Sequence, residues 1–170
     1  MMGRGERIDE AFRQRRAALE QQELMLQAKR DLGATRQTVL DEVRVRVLDE
    51  ALDRIAEAFA RNGCPAEPGN TNMAEAGSRA GGERRFSIPG QAPGQSETMS
   101  VSAVAAFADP TADSLRITAQ VAERRAQSEA FGIRQFQDEA GREALQASLR
   151  EWLYEALEGL VVERLGRRGR

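Results

Sequence analysis

The chain has 170 residues, with 25 basic and 27 acidic side chains, a formal net charge of −2 and no histidine. This balance lacks the basic excess typical of nucleic-acid-binding domains, and the missing histidine excludes Ser-His-Asp and Cys-His catalysis and histidine-based metal sites. Cys64 is the only cysteine, so an internal disulfide and a cysteine zinc cluster are both excluded, which fits a reducing compartment.

Membrane and cofactor motifs are also missing from the sequence. The first residues, MMGRGERIDEAFRQRR, lack the apolar core of a signal peptide, and no run approaches eighteen apolar residues. Neither GxxxxGK[ST] nor a GxGxxG that opens a helix is present. We therefore expect a cytoplasmic protein with no cofactor, no membrane contact and no evident small-molecule substrate. The single lysine among many arginines is typical of a GC-rich, bacterial genome.

Residues 5–32 predict a thin helix. One stripe is apolar, while the positions where a second stripe is expected hold Arg15, Gln22 and Lys29. Two interpretations stay open: an arm or coiled-coil strand that grips a partner, or a solvated surface helix. Gly33 favours a break, because glycine costs about 1 kcal/mol inside a helix relative to alanine. The break predicts a helical hairpin with the next helix. The stripe consists of Ile8, Phe12, Leu19 and Leu26.

The clearest pattern is the stretch from Thr38 to Asn62, which predicts an amphipathic helix. Its charged side has three Glu–Arg pairs at a spacing of four, each worth roughly 0.2–0.5 kcal/mol. Asn62-Gly63 followed by Pro65 predicts its end. The apolar arc is wider than a two-stranded coiled-coil seam, so it favours a core or a multi-helix interface. That arc comprises Leu40, Val47, Leu48, Ala51, Leu52, Ile55 and Phe59.

Residues 63–83 are rich in Gly, Pro, Asn, Ser and Ala, and nearly devoid of large apolar side chains. Such a segment buries too little surface to offset the entropy of ordering it. It is predicted to be a flexible linker or a long loop.

Residues 84–138 show alternation with period two, which favours an antiparallel meander with one buried face. The alternating runs are 86–88, 99–107 and 115–121, with a turn at 109–113 and one more short strand from Phe131 to Phe136. A rival interpretation is a helix from Pro110 to Ala130, since Asp109 is a good N-cap and the following residues have high helix propensity. The outward serines and threonines of the first long run favour the sheet.

Asp138 to Leu165 predicts a second amphipathic helix, whose apolar arc includes Leu145, Leu149 and Leu153. The fold class is therefore α+β: an N-terminal helical hairpin and a C-terminal helix pack on a small antiparallel meander, with an all-α fold as the alternative. The predicted organisation is a thin helix or arm (1–33), a central helix (34–62), a linker (63–83) and a meander plus helix (84–170).

No catalytic constellation emerges, because Asp49, Glu50 and Asp53 resemble a solvated helix face. The sequence thus favours a non-enzymatic interaction, adaptor or assembly protein that forms a homo-oligomer or binds a protein partner. Its expected interface residues are Leu48, Leu52, Ile55, Phe59, Leu149, Trp152, Leu153 and Tyr154. The alternative is a nucleic-acid-associated protein that uses the basic C-terminal residues Arg164, Arg167, Arg168 and Arg170.

Overall fold

A computed structural model describes residues 3, 5–68, 71–108, 113–128 and 131–166 of the chain. The chain forms two compact units, residues 1–35 and residues 36–170. The helices are α1 (Glu6–Val43), α2 (Glu50–Arg61), α3 (Arg134–Gln137) and α4 (Glu139–Gly166). The strands are β1 (Thr71–Glu75), β2 (Arg79–Pro89), β3 (Ser96–Phe107), β4 (Ser114–Val121), β5 (Arg124–Gln127) and β6 (Phe131–Gly132).

The predicted α+β class is confirmed. Consecutive strands pair antiparallel in the order β1-β2-β3-β4-β5, and β6 pairs with the start of β4. On β3 and β4 the buried residues alternate with partly exposed ones, as the period-two pattern predicts. The rival helix is wrong over residues 114–127, which form β4, a tight turn and β5. Most of the predicted turn, residues 109–112, lies outside the described residues. The predicted last strand is shorter than expected, because β6 ends at Gly132 and α3 follows.

The predicted hairpin at Gly33 is wrong, since α1 continues through this glycine to Val43. The cost of glycine is about 1 kcal/mol, and favourable helix residues surround it. Side chains one turn apart also bond on both sides of it: Gln27 donates to Asp31 at 3.0 Å and Gln37 donates to Asp41 at 2.9 Å. One glycine is therefore not sufficient to break the helix.

Between α1 and α2 the chain makes a π-helical turn, Arg44–Asp49. The extra residue in such a turn changes the helical phase, so the neighbours Val47 and Leu48 are both fully buried. Arg150 of α4 donates to the backbone carbonyl of Arg46 at 3.1 Å. This phase change explains why the apolar arc of the predicted central helix is so wide. The predicted helix end is confirmed, because α2 stops at Arg61 and Gly63 follows with φ +76°.

Residues 63–83, predicted to be a linker or loop, contain β1 and the first part of β2. These strands form because their backbones pair with neighbouring strands, which requires no large side chain. Gly81 pairs with Met73 of β1 on one side and with Val104 of β3 on the other. A Cβ atom at Gly81 would lie 2.5 Å from the carbonyl oxygen of Ala103. Glycine thus allows β2 to lie close to β3.

The core of residues 36–170 lies between one face of the sheet and a layer formed by the end of α1, the π-helical turn, α2 and α4. Phe59 of α2 stacks on Phe86 of β2, with ring centroids 4.1 Å apart. Two ion pairs join α2 to α4: Arg150 with Glu50 at 2.5 Å and Arg54 with Glu151 at 3.0 Å. The single chain thus fills the core with its own helices and sheet.

Candidate interaction surfaces

The predicted interface residues divide into two groups. Leu48, Leu52, Ile55, Phe59, Leu149 and Leu153 are buried in the core of the chain itself. They are covered by the sheet and by each other, and only small parts of Ile55 and Phe59, 3% and 7% exposed, reach the surface. Trp152 and Tyr154 are only partly buried and pack against the edge of this core. Of the predicted set, these two remain accessible.

The predicted basic region is only partly described. Arg164 forms an ion pair with Glu97 at 3.4 Å, while Arg167, Arg168 and Arg170 lie outside the described residues. Arginines of β2 and β5 are also paired: Arg84 with Asp53, Arg85 with Glu83 and Arg124 with Glu163. These ion pairs partly neutralise the positive charge of the arginines, which binding to the phosphates of a nucleic acid would require.

The carboxylates of the central helix have structural contacts. Asp53 accepts a hydrogen bond from Arg84 of β2 at 2.6 Å, and Glu50 pairs with Arg150 of α4. Burial raises the pKa of Asp49 above its usual value of 3.8, although Arg44 and Arg84 oppose the rise. Among the described residues, no group of three or more His, Cys, Asp or Glu is arranged to hold a metal ion.

The N-terminal stripe, which we define as Ile8, Phe12, Leu19 and Leu26, is exposed over its whole length. Each of its side chains has between 52% and 60% of its surface accessible. Glu10 is the one partly covered residue in the described range 5–32. A helix of this kind gains little from packing, so the stripe stays exposed as a row of apolar side chains on one helix face within residues 5–32.

A second apolar surface, which we call the apolar groove, lies where the ends of α2, β2 and α4 meet. Its volume is about 530 Å³. Val162 and Leu165 of α4 are 62% and 54% exposed in it, although most large apolar residues of 36–166 are covered. The groove is lined by Ile55, Ala58, Phe59, Asn62, Cys64, Ile88, Pro89, Tyr154, Glu158, Val161, Val162 and Leu165.

Tyr154 and Glu158 provide the polar groups at one wall of the groove. Burial raises the pKa of Tyr154 above 10.0, and its hydrogen bond to Glu158 and the charge of that carboxylate raise it further. The guanidinium of Arg54 lies 3.8 Å from the centre of the tyrosine ring and, with Arg61, opposes this rise. The wall thus combines an apolar ring with one carboxylate, Glu158.

The sheet face opposite the helices forms a shallow depression of about 560 Å³. Its floor consists of small side chains such as Ser102, Val104 and Thr118. Glu83 lies there, and its carboxylate accepts hydrogen bonds from Ser100 and Arg85. The bond from Ser100 is the main cause that holds the pKa of Glu83 below 4.5. This face mixes polar side chains with small apolar ones, whereas the lining of the groove is mostly apolar.

The chain matches no protein-family model, no curated protein and no solved structure. Within the described ranges, no helix combines the length and the apolar character that crossing a membrane requires. Function must therefore be argued from the surfaces themselves.

Sequence reasoning found the N-terminal stripe but missed the groove. Its lining comes from positions as far apart as Ile55 and Leu165, so no local pattern reports it. A partial signal was present in α4, where Val162 falls outside the apolar arc that packs on the sheet.

Proposed function

We propose that the protein is a non-enzymatic interaction protein that self-associates through its N-terminal helix, as expected of an assembly or adaptor protein. The observation that carries this proposal is the N-terminal stripe. Four large apolar side chains at spacings of four and seven residues are more than half exposed. Large apolar side chains that recur on one face of a helix are the usual contact surface for a partner.

The buried interior does not support the wide helical arcs as contact sites, because Leu52, Phe59 and Leu153 are covered within one chain. Self-association therefore depends on the stripe, and not on the central helix that the sequence pattern favours. We place this function in the cytoplasm of a bacterium, in keeping with the single cysteine and the arginine-rich composition.

The test compares full-length variants by sedimentation equilibrium. F12Q/L19Q removes two side chains of the stripe and keeps residues that tolerate a helix. About half of each side chain is available for burial, so we expect a loss of about 2 kcal/mol, or roughly thirtyfold weaker association. L24Q/M25Q is the matched control, since Leu24 and Met25 are similarly exposed but point away from the stripe.

The proposal predicts that the control associates like the wild type and that F12Q/L19Q dissociates at much higher concentration. Equal weakening by both pairs would mean that general surface hydrophobicity causes the association. A wild-type chain that stays monomeric would remove the proposal. The nucleic-acid alternative has no observation in its favour among the described residues, because Arg164 and the paired arginines already have acidic partners.

A further inference from the structure

In the described part of the chain, the core leaves two apolar surfaces open: the N-terminal stripe on α1 and the apolar groove between α2, β2 and α4. The groove, at about 530 Å³, falls within the range of about 300–1,000 Å³ in which proteins enclose small ligands. It therefore has room for a few side chains, but not for a whole helix with a diameter of about 10 Å.

The stripe presents such side chains in a suitable arrangement. Ile8 and Phe12 are four residues apart, so they lie on one face of the helix about 6 Å from each other. An amphipathic helix that inserts residues at this spacing into an apolar groove is a common mode of recognition. Both side chains are more than half exposed.

The charges of the two surfaces also match. Among the described residues, Glu158 is the only charged one that lines the groove. Arg16 follows Phe12 by four residues, so a basic group lies one helical turn after the aromatic ring. Glu158 thus favours the orientation in which the Arg16 end of this segment, and not the Asp9 end, lies against α4.

We propose that the apolar groove of one copy receives Ile8 and Phe12 from α1 of a second copy. This inference rests on the proposed self-association and names the surface that accepts the stripe. The contact joins two different surfaces, so each chain can donate its helix to one neighbour and accept a helix from another. Reciprocal exchange closes a dimer, and non-reciprocal exchange extends to larger assemblies.

Cys64 lines the groove and is the only cysteine in the chain, which permits a cross-linking test with full-length protein. Wild-type chain labelled with ¹⁵N supplies a thiol at position 64 only. Unlabelled R15C/C64S supplies a thiol only at position 15, beside the stripe. The two are mixed and treated with a short bis-maleimide, and the products are separated by mass. The matched control replaces R15C with A17C, two residues away on the opposite face of the helix.

We expect a mixed product that joins position 15 of one chain to position 64 of another, with little of it in the A17C mixture. V162Q in the labelled chain should reduce this product, because it weakens binding about tenfold, equivalent to about 1.4 kcal/mol. Val162 is exposed, so this substitution leaves the core intact.

Two results overturn the inference without affecting self-association. The first is a product that joins position 15 to position 15, which indicates pairing between two N-terminal helices. The second is an associated sample in which R15C and A17C give equal amounts of mixed product. A wild-type chain that sediments as a monomer overturns both proposals together.

Discussion

Gly81 and Gly82 are adjacent on β2, but we expect their replacement by alanine to affect stability differently at the two positions. A Cβ atom at Gly81 would lie 2.5 Å from the carbonyl oxygen of Ala103 and 2.9 Å from Cγ2 of Val104. At Gly82 the added atom would lie 3.6 Å from Cδ1 of Leu52, which is an ordinary contact. Neither glycine has a positive φ, so alanine is compatible with the backbone at both positions. The two sites therefore differ in the room available for a Cβ atom and not in backbone conformation.

The expected magnitudes follow from these distances. In G81A the Ala103 carbonyl must move by almost an ångström, and it belongs to β3, which is held between β2 and β4. Overpacking of this kind typically costs about 1–3 kcal/mol, and we expect the upper half of that range because the obstacle is backbone. G82A should be neutral or stabilising, since replacing glycine at a compatible position gains about 0.4–1 kcal/mol.

The assay is urea denaturation of the wild type, G81A and G82A, followed by circular dichroism. We expect the midpoint of G81A to fall clearly and that of G82A to stay or rise, with similar slopes for all three proteins. If residues 63–83 were an unpaired loop, both substitutions would leave the midpoint unchanged. Equal midpoints, or a larger loss for G82A, would refute the close approach of β2 and β3.

Two further predictions concern ionisation. Because the pKa of Glu83 is lowered in the folded chain, its contribution to stability is present above pH 4.5 and is lost as the pH falls through the folded pKa. The S100A substitution should raise that pKa. Thermal unfolding between pH 6 and pH 3 should therefore show that S100A loses less stability on acidification than the wild type. Tyr154 is the only tyrosine, so the absorbance of tyrosinate reports its titration alone. The midpoint of this titration should lie above pH 10.0. The E158Q substitution should lower the midpoint only in part, because burial is the larger cause of the raised pKa. An unchanged acid loss in S100A, or a return of Tyr154 to 10.0 in E158Q, would contradict these causes.

The parts of the fold that sequence reasoning predicted are those with local signals. The alternation along β3 and β4 reflects one buried face, and the outward serines at 100 and 102 mark the other. The end of α2 is encoded by Asn62-Gly63, and α4 by its apolar arc. Each of these signals lies within one element, so it can be read without knowledge of the neighbours.

The parts that were missed depend on contacts between distant residues. β1 is stabilised by backbone pairing with β2, and the start of β2 by backbone pairing with β3. Gly81 matters because the carbonyl oxygen of Ala103 is close to it, which the residues next to Gly81 in the sequence do not show. The continuation of α1 through Gly33 depends on the helix on both sides of it. Likewise, the apolar pattern of one helix shows that its buried residues need a covering surface, but it does not show that the chain's own sheet supplies that surface.

The proposed self-association is tested most directly by the mass of the wild-type particle in solution. Light scattering across a concentration series should give at least twice the single-chain mass of 18.7 kDa at high concentration, and F12Q/L19Q should stay near 18.7 kDa under the same conditions. A wild-type mass of one chain at every concentration would contradict the proposed role of the N-terminal stripe.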